Sequence, residues 1–151
     1  MKSRVEETIR LHNKGYNCAQ SVACAYCDLA GVSEETAFQA TEALGLGMGG
    51  MEGTCGAVSG ACVLAGFKNS TVNLEKPDSK AATYRLSKEI VRRFKEKNTV
   101  TACRDLKGID TGKVIRPCPD CIRDAAEIVE QVLFPEYFAK EDGESAERKD
   151  G

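Results

Sequence analysis

The sequence predicts an all-α protein that folds as a single compact bundle of five or six helices, with a glycine-rich loop before the central helix. Apolar residues recur at helical spacing in several segments, and no segment shows the alternation of a half-buried strand. A chain of 151 residues is the usual size of one domain. We assign residues 1–138 to this domain and expect a disordered tail over residues 139–151, which contain almost no apolar side chains.

Capping signals predict three helices in the first part of the chain. Ser3 and Glu6 have the spacing of a capping box at the start of the first helix. Asn17 is expected to cap a second helix that ends at Gly31, and Ser33 is expected to cap a third. No strand is expected in this region.

Residues 45–54, GLGMGGMEGT, contain too much glycine for a regular element. They predict a loop in which the backbone takes positive φ or approaches another group closely. The loop lacks the Lys-Ser/Thr pair and the preceding strand of a phosphate-binding loop, so we do not expect nucleotide binding. Met48 and Met51 could pack over a cofactor, although methionines in loops more often cover a core.

The second half of the chain predicts mainly scaffold helices. A fourth helix is expected from about residue 55 to residue 67, and the longest is expected over residues 79–97. Residues 101–108 predict one short helical turn at most, and residues 118–134 predict the last helix. The buried stripe of the longest helix is expected to contain Ala82, Leu86, Ile90 and Phe94.

Charge and hydropathy argue against two classes of partner. The 21 Lys and Arg residues are balanced by 23 Asp and Glu residues, so no basic field is expected for nucleic acid. The longest apolar stretch, residues 61–67, is far shorter than the roughly 20 residues that cross a bilayer. The first residues lack the apolar core of a secretory signal, and we therefore expect a cytoplasmic protein without membrane or nucleic-acid partners.

The eight cysteines are the main chemical signal. In a reducing compartment such a count favours metal binding or redox chemistry over a disulfide framework. Cys18, Cys55 and either Cys118 or Cys121 lie at or near predicted helix starts, where free N–H groups favour the thiolate. The thiolate is also the form that ligates iron or zinc.

Two pairs of cysteines have CxxC spacing, CAYC at residues 24–27 and CPDC at residues 118–121. This spacing serves redox dithiols and zinc sites alike, and CPDC is the better candidate because its prolines suit a helix start. The two pairs are too far apart in the chain for a compact zinc ribbon. Cys24, Cys27 and Cys62 have small or apolar neighbours and are expected to fill the core.

Four separated motifs occur in one order over about residues 9–133: NKGYNCAQSV, CGAVSGA, CRDLKG and CIRDAAEIVEQVL. In this the chain resembles the C_GCAxxG_C_C family, to which redox activity is attributed mainly because of its cysteines. The family is similar to a domain of split-Soret cytochromes that carries an iron–sulfur cluster, so the resemblance implies a [2Fe–2S] or [4Fe–4S] cluster. The implied ligands are Cys18, Cys55, Cys103 and Cys121. The glycine motif is expected to line the cofactor with Gly53, Gly56, Ala57 and Gly60.

Three functions therefore remain open. The first is a small redox protein that binds an iron–sulfur cluster for electron transfer or redox sensing. The second is a thiol–disulfide oxidoreductase that uses a pair such as Cys118 and Cys121. The third is a structural metal-binding helical module, and the sequence decides neither whether the chain is an enzyme nor whether it forms a homodimer.

Covalent haem is not expected in this chain. It has no CxxCH motif, and its only histidine, His12, is expected to be a surface or capping residue. An electron partner must therefore be a separate redox protein or a small molecule.

Overall fold

Seven α-helices are complete within residues 1–138, the part of the chain that the computed structural model describes, and residues 135–138 are helical as well. A 3₁₀ turn, Glu42–Leu44, and a π-type turn, Gly47–Met51, connect the third helix to the fourth. Within residues 1–138 the only β-type pairing is one isolated bridge between Thr54 and Ala102. The helices are α1 (Val5–Lys14), α2 (Cys18–Tyr26), α3 (Glu34–Thr41), α4 (Gly56–Asn69), α5 (Lys80–Asn98), α6 (Cys103–Lys107) and α7 (Cys118–Val132).

The all-α prediction is confirmed, but the described residues contain more helices than the five or six expected, because residues 103–107 form a helix of their own and residues 135–138 are helical. Within the predicted loop, residues 45–54, a π-type turn spans Gly47–Met51, and Met48 and Gly49 have non-helical backbone angles inside it. Positive φ occurs there as expected, at Gly47 and Gly49 but also at the non-glycine residues Leu46, Met48 and Met51. The expected tail, residues 139–151, lies outside the described residues.

Helices α2 and α4 pack closely against each other in the middle of the protein. A Cβ atom at Gly60 of α4 would lie 2.5 Å from the carbonyl oxygen of Ala19 in α2, so only glycine permits this approach. Helices α1 and α3 pack on α2, and α5 and α7 pack on α4. Within residues 1–138, no helix combines the length and the hydropathy needed to cross a membrane.

Two of the three predicted caps are confirmed. The Asn17 side chain accepts a hydrogen bond from the Gln20 N–H at 2.8 Å, and the Asn17 N–H donates to the Gln20 side chain at 3.0 Å. Asn17 therefore starts α2 with a full capping box. Ser33 accepts from the Thr36 N–H at 3.1 Å and starts α3. Helix α2 ends at Tyr26, before the predicted stop at Gly31.

The predicted capping box of Ser3 and Glu6 is wrong. Arg4 is the N-cap of α1 and makes no side-chain cap. The Ser3 hydroxyl instead donates to the buried carboxylate of Glu130 in α7, at 3.1 Å. The Arg4 N–H and the Tyr26 hydroxyl donate to the same oxygen, at 2.7 and 2.5 Å. The buried Glu130 carboxylate needs hydrogen-bond donors. It therefore binds the Ser3 hydroxyl, which the local sequence predicts as the cap of α1.

Helix α5 closely follows its prediction, and its side chains Ile90 and Phe94 are fully buried. A buried carboxylate, Asp124 of α7, ties the end of α5 to the segment before α7. It accepts hydrogen bonds from Asn98 at 3.1 Å and from Arg116 at 2.9 and 3.0 Å. The chain that leads into Cys118 is thereby fixed to the helix that follows it.

Candidate functional site

Five of the eight cysteines converge where α2, α4, α6 and α7 begin. Each interacts electrostatically with at least two of the others, and all eight thiols of the chain are free. We call this group the cysteine centre. Its members are Cys18, Cys55, Cys103, Cys118 and Cys121. It thus contains the four cysteines expected from the sequence, together with Cys118.

The centre is assembled from helix starts. Cys18, Cys103 and Cys118 are the first residues of α2, α6 and α7, and Cys55 is the N-cap of α4. Cys121 lies one turn into α7. The expectation that cysteines sit at helix starts is confirmed, and the free N–H groups there favour negative charge on sulfur.

The isolated bridge places Cys55 beside Cys103. The Cys55 N–H donates to the Thr101 carbonyl at 2.7 Å, and the Cys103 N–H donates to the Gly53 carbonyl at 2.9 Å. These bonds flank the pairing of Thr54 with Ala102. One short backbone contact therefore joins two cysteines that are distant in sequence.

Two glycines give the sulfur atoms room. A Cβ atom at Gly56 would lie 2.5 Å from the Cys18 Sγ. A Cβ atom at Gly47, which has φ +55°, would lie 2.5 Å from the Cys103 Cβ and 3.4 Å from its Sγ. Any larger residue at these positions would displace a thiol of the centre.

The other residues of the predicted glycine motif have different roles. Gly53 packs against Met48, because a Cβ atom added at Gly53 would lie 3.1 Å from the Met48 Cγ and 3.3 Å from its Sδ. Gly60 allows α2 and α4 to pack closely. Ala57 is fully buried, and its N–H group faces the Cys55 sulfur. Sequence reasoning missed Gly47, although it lies in the segment predicted to approach another group closely.

Cys55 carries the strongest electrostatic signal. A side-chain interaction with Cys121 lowers the pKa of Cys55 to about 7, despite its burial. The N–H groups of Ala57 and Val58 and the charge of Lys107 act in the same direction. The same interaction, together with burial, raises the pKa of Cys121, whose thiol donates a hydrogen bond to the Arg116 carbonyl oxygen at 3.6 Å. Cys55 is therefore the more acidic thiol of this pair.

Two further thiols of the centre remain protonated at neutral pH. Burial raises the pKa of Cys18, although hydrogen bonds from the N–H groups of Leu46 and Ala19 act in the opposite direction. Burial also raises the pKa of Cys103 to about 11, although the charge of Lys107 opposes it.

Lys107 is the cation of the centre, and sequence reasoning did not single it out. Its ammonium group forms a hydrogen bond with Cys118, which raises the pKa of Lys107, and it also interacts with Cys103 and Cys18. The usable signal was its place in CRDLKG, one helical turn after Cys103 and hence on the same helix face.

The remaining cysteines lie elsewhere. Cys24 and Cys27 are buried in the hydrophobic core, and Cys62 is half-buried against it. Burial raises the pKa of Cys24 to about 12 and that of Cys62 to about 11, as suits apolar core thiols. The Nδ1 of His12 lies 3.0 Å from the carbonyl oxygen of Tyr16, just beyond the end of α1.

No three Cys, His, Asp or Glu side chains within residues 1–138 are arranged to hold one metal ion. Within the cysteine centre, Cys55 and Cys121 form the pair of thiols that act most strongly on each other.

A family model described as "Putative redox-active protein (C_GCAxxG_C_C)" matches residues 16–132. The chain belongs to the C_GCAxxG_C_C family. The region matched by the family runs from just before Cys18 to the end of α7 and includes the whole cysteine centre. No curated protein and no solved structure matches the chain.

One motif departs from the family's name. The name writes glycine before cysteine, whereas this C_GCAxxG_C_C protein has Cys55 before Gly56. The structure gives a reason for this order, because a side chain at position 56 would collide with the Cys18 sulfur.

Proposed function

We propose that the cysteine centre holds an iron–sulfur cluster and that the protein serves in electron transfer or redox sensing. One observation carries the proposal: the four cysteines implied by the family pattern reach one place from the starts of four separate helices. Four cysteine thiolates are the usual ligands of both [2Fe–2S] and [4Fe–4S] clusters. When bound, such a cluster supplies reversible one-electron chemistry. The proposed ligands are Cys18, Cys55, Cys103 and Cys121.

The surrounding residues suit sulfur that carries negative charge. The N–H groups of Ala57 and Val58 face Cys55, and that of Leu46 faces Cys18. Such hydrogen bonds to ligand sulfur are among the features that set the potential of a cluster. Cys55, Cys103 and Cys121 are buried, which keeps water from these ligands.

The spread of the thiols favours a cluster over the structural metal-binding module. A structural zinc site gathers four ligands about one ion, and residues 1–138 contain no group of even three arranged in that way. In a cluster the thiolates bind different iron atoms, so the ligands lie around a larger group. The cysteine centre draws its thiols from α2, α4, α6 and α7, as ligands of such a larger group require.

A second candidate function rests on the contact between Cys55 and Cys121. In a thiol–disulfide reaction, the Cys55 thiolate attacks one sulfur of a substrate disulfide, forms a mixed disulfide and releases the first thiolate. Cys121 then loses its proton and attacks the Cys55 sulfur, which gives a Cys55–Cys121 disulfide and releases the second substrate thiol. The protein loses two electrons and the substrate gains them. We place the pair at Cys55 and Cys121 because Cys121 is the largest cause of the lowered pKa of Cys55.

Purification without oxygen separates the candidates. Bound iron and acid-labile sulfide with visible absorbance support the cluster. A colourless protein in which Cys55 and Cys121 cycle between two thiols and one disulfide supports the second function and overturns the first. Bound zinc without colour and without such cycling overturns both.

A further inference from the structure

The first CxxC pair, Cys24 and Cys27, has no part in either candidate function, and both of its residues line an open cavity of about 740 Å³. The cavity is bounded by residues 2–4, by α1, and by the end of α2 with the turn that follows it. No member of the cysteine centre lines it. Cys24 is 7% exposed and Cys27 is 6% exposed. The two thiols thus lie at the edge of the core, beside a space large enough for a small molecule.

The spacing of the two cysteines along the backbone suits a disulfide. Cys24 is in the last turn of α2, and Cys27 is the C-cap residue, with helical backbone angles. Helix geometry places their Cα atoms about 5 Å apart, within the range of roughly 4.4–6.8 Å at which disulfides form. Their Cβ atoms, about 5–6 Å apart on a regular helix, must approach each other by roughly 1–2 Å. Cys27 can make this movement because residues 27–31 form turns and no longer belong to α2.

The lining of the cavity contains four cations and three carboxylates, which give it a net charge of +1. Two of the cations already pair with carboxylates. These pairs are Arg4 with Asp28 at 2.6 Å and Arg10 with Glu7 at 2.5 Å. The third carboxylate, Glu34, accepts a hydrogen bond from the Tyr16 hydroxyl at 2.5 Å. Lys2 and Lys14 are exposed and form no ion pair within residues 1–138, so their ammonium groups are available to an anionic ligand.

We propose that Cys24 and Cys27 form a second redox site, which reacts with low-molecular-weight disulfides that carry carboxylates. The carboxylates bind at Lys2 and Lys14, and the two thiols are converted to a Cys24–Cys27 disulfide. The site shares no residue with the cysteine centre. The inference therefore goes beyond the proposed function and does not depend on it.

Cys27 is the attacking thiol. Burial raises the pKa of both thiols, but at Cys27 the N–H groups of Asp28 and of Cys27 itself oppose the rise. The Cys24 thiol is held by a hydrogen bond that it donates to the Glu34 carbonyl oxygen at 3.8 Å. Cys27 loses its proton to solvent and attacks one sulfur of the external disulfide, which gives a mixed disulfide and releases one thiolate.

Cys24 completes the reaction. It loses its proton and attacks the Cys27 sulfur, which forms the bond between the two cysteines and releases the second thiolate of the small molecule. The two released thiolates take up the two protons, so the protein loses two electrons and the small molecule gains them. Because burial keeps both cysteines protonated at neutral pH, the reaction is slow. It responds to a lasting excess of oxidised small molecules.

Disulfide mapping of the wild-type protein tests the inference directly. Full-length protein, purified without oxygen, is incubated with glutathione disulfide at mildly alkaline pH, and its disulfides are mapped by tandem mass spectrometry. We expect a bond between Cys24 and Cys27. If both stay reduced, or if either pairs with another cysteine, the inference is overturned. Wild-type protein without iron would remove the proposed cluster but leave this result unchanged, so the two failures can be told apart.

Cys24→Ser tests the order of the steps. Without the second thiol, glutathione should remain on Cys27 as a mixed disulfide. The matched control is Cys62→Ser, which removes a half-buried thiol outside the cavity and should leave the Cys24–Cys27 bond unchanged. Circular dichroism checks the folding of each variant. A folded Cys24→Ser without glutathione on Cys27 would overturn the role of Cys27, and the wild-type mapping decides the inference where the variant does not fold.

The class of ligand is tested by comparing glutathione disulfide, which carries carboxylates, with cystamine, which carries ammonium groups. The rate of Cys24–Cys27 bond formation is measured with each at low ionic strength. We expect the ratio of the glutathione rate to the cystamine rate to fall several-fold in Lys2→Gln/Lys14→Gln and in high salt. The control Lys113→Gln, at an exposed lysine between α6 and α7, should keep the wild-type ratio. The wild-type ratio in the folded double variant would overturn the anionic ligand class.

Discussion

Cys121, one turn into α7, interacts through its side chain with Cys55, the N-cap of α4, and its thiol lies 3.6 Å from the Arg116 carbonyl oxygen. This contact connects the second and the last of the four family cysteines. It lowers the pKa of one thiol and raises that of the other, so the two members of one pair differ chemically. Both candidate functions depend on it, one as part of a ligand set and the other as a dithiol.

Replacement of Cys55 by serine is expected to abolish cofactor retention. A hard oxygen ligand at a soft site binds iron more weakly than a thiolate does. Iron and sulfide per chain, measured after anaerobic purification, check this. The control is Cys24→Ala, which should leave the iron content almost unchanged because Cys24 lies in the hydrophobic core. Near-normal iron in Cys55→Ser would remove Cys55 from the ligand set.

The titration of Cys55 gives a pH dependence for the metal-free protein. Since the pKa of Cys55 is lowered to about 7, its side chain is a thiolate above that pH and a protonated thiol below it. We expect a step in the ultraviolet absorbance of thiolate near this pH, and its loss in Cys55→Ala. Cys62, with a pKa of about 11, should not contribute in this range. The absence of any step below the ordinary cysteine value of about 8.5 would contradict the assignment.

The parts of the fold that the sequence predicts correctly are those that depend on local signals. Asn17 and Ser33 cap helices through residues three positions away, and the stripe of α5 is a local periodicity, so both can be recognised without tertiary information. Ser3 misled the prediction because its partner is Glu130, a residue from the far end of the domain. A buried carboxylate of this kind leaves no sign in the nearby sequence.

The candidate site also combines local features, which the sequence predicts, with tertiary contacts, which it does not. Local signals predict the helix starts at Cys18 and Cys55 and leave Cys118 or Cys121 for the last helix, and the structure begins α7 at Cys118. The contact of Cys55 with Cys121 and the pairing of Lys107 with Cys118 are tertiary and have no periodic pattern. The bridge between Thr54 and Ala102 is a single pair, too short to produce strand alternation.

A methyl group at Gly56 is expected to damage the centre. In Gly56→Ala the new Cβ would lie 2.5 Å from the Cys18 sulfur and 3.0 Å from the Leu44 carbonyl oxygen. We expect a loss of about 1–3 kcal/mol in the free energy of unfolding, together with lower iron retention. Urea denaturation and iron analysis measure the two effects.

Gly66, in the same helix, provides the matched control for Gly56→Ala. An added Cβ there meets nothing within 4 Å, so Gly66→Ala should raise the free energy of unfolding by roughly 0.5–1 kcal/mol through helix propensity. If Gly56→Ala behaves like Gly66→Ala, the close approach of Cys18 is wrong.

Asp124 is expected to stabilise the segment that carries Arg116 and leads to Cys118. Burial raises its pKa, but hydrogen bonds from Arg116, Asn98 and Lys97 outweigh this and leave the pKa lowered. Asp124→Asn should cost about 2 kcal/mol of unfolding free energy at neutral pH, since Arg116 and Lys97 still reach solvent.

The pH dependence of that loss has a definite sign. Because the pKa of Asp124 is lowered in the folded protein, its ionised carboxylate stabilises the fold at pH values above the ordinary value of 3.8. This stabilisation is lost as the pH falls through the lowered pKa, where the carboxylate becomes protonated. The difference between wild type and Asp124→Asn should therefore shrink in acid. Asp110→Asn, at an exposed pair with Arg104, serves as the control and should leave stability unchanged. An equal difference at neutral and acid pH would argue against a role for the Asp124 charge.

Mild oxidation of the metal-free protein tests the dithiol pair. With an added low-molecular-weight disulfide as oxidant, peptide mapping should find a bond between Cys55 and Cys121, because Cys55 is the more acidic thiol and Cys121 is the largest cause of its lowered pKa. The same bond should form in Cys118→Ser. A bond between Cys118 and Cys121 in the wild type would show that the CPDC pair is the redox dithiol instead.

Anomalous scattering at the iron edge, from a crystal of anaerobically prepared protein, tests the proposed ligand set most directly. We expect iron at the cysteine centre, bonded to the sulfurs of Cys18, Cys55, Cys103 and Cys121. Iron at another place, or an iron-free centre in protein that retains its native fold and was supplied with iron and sulfide, would contradict it.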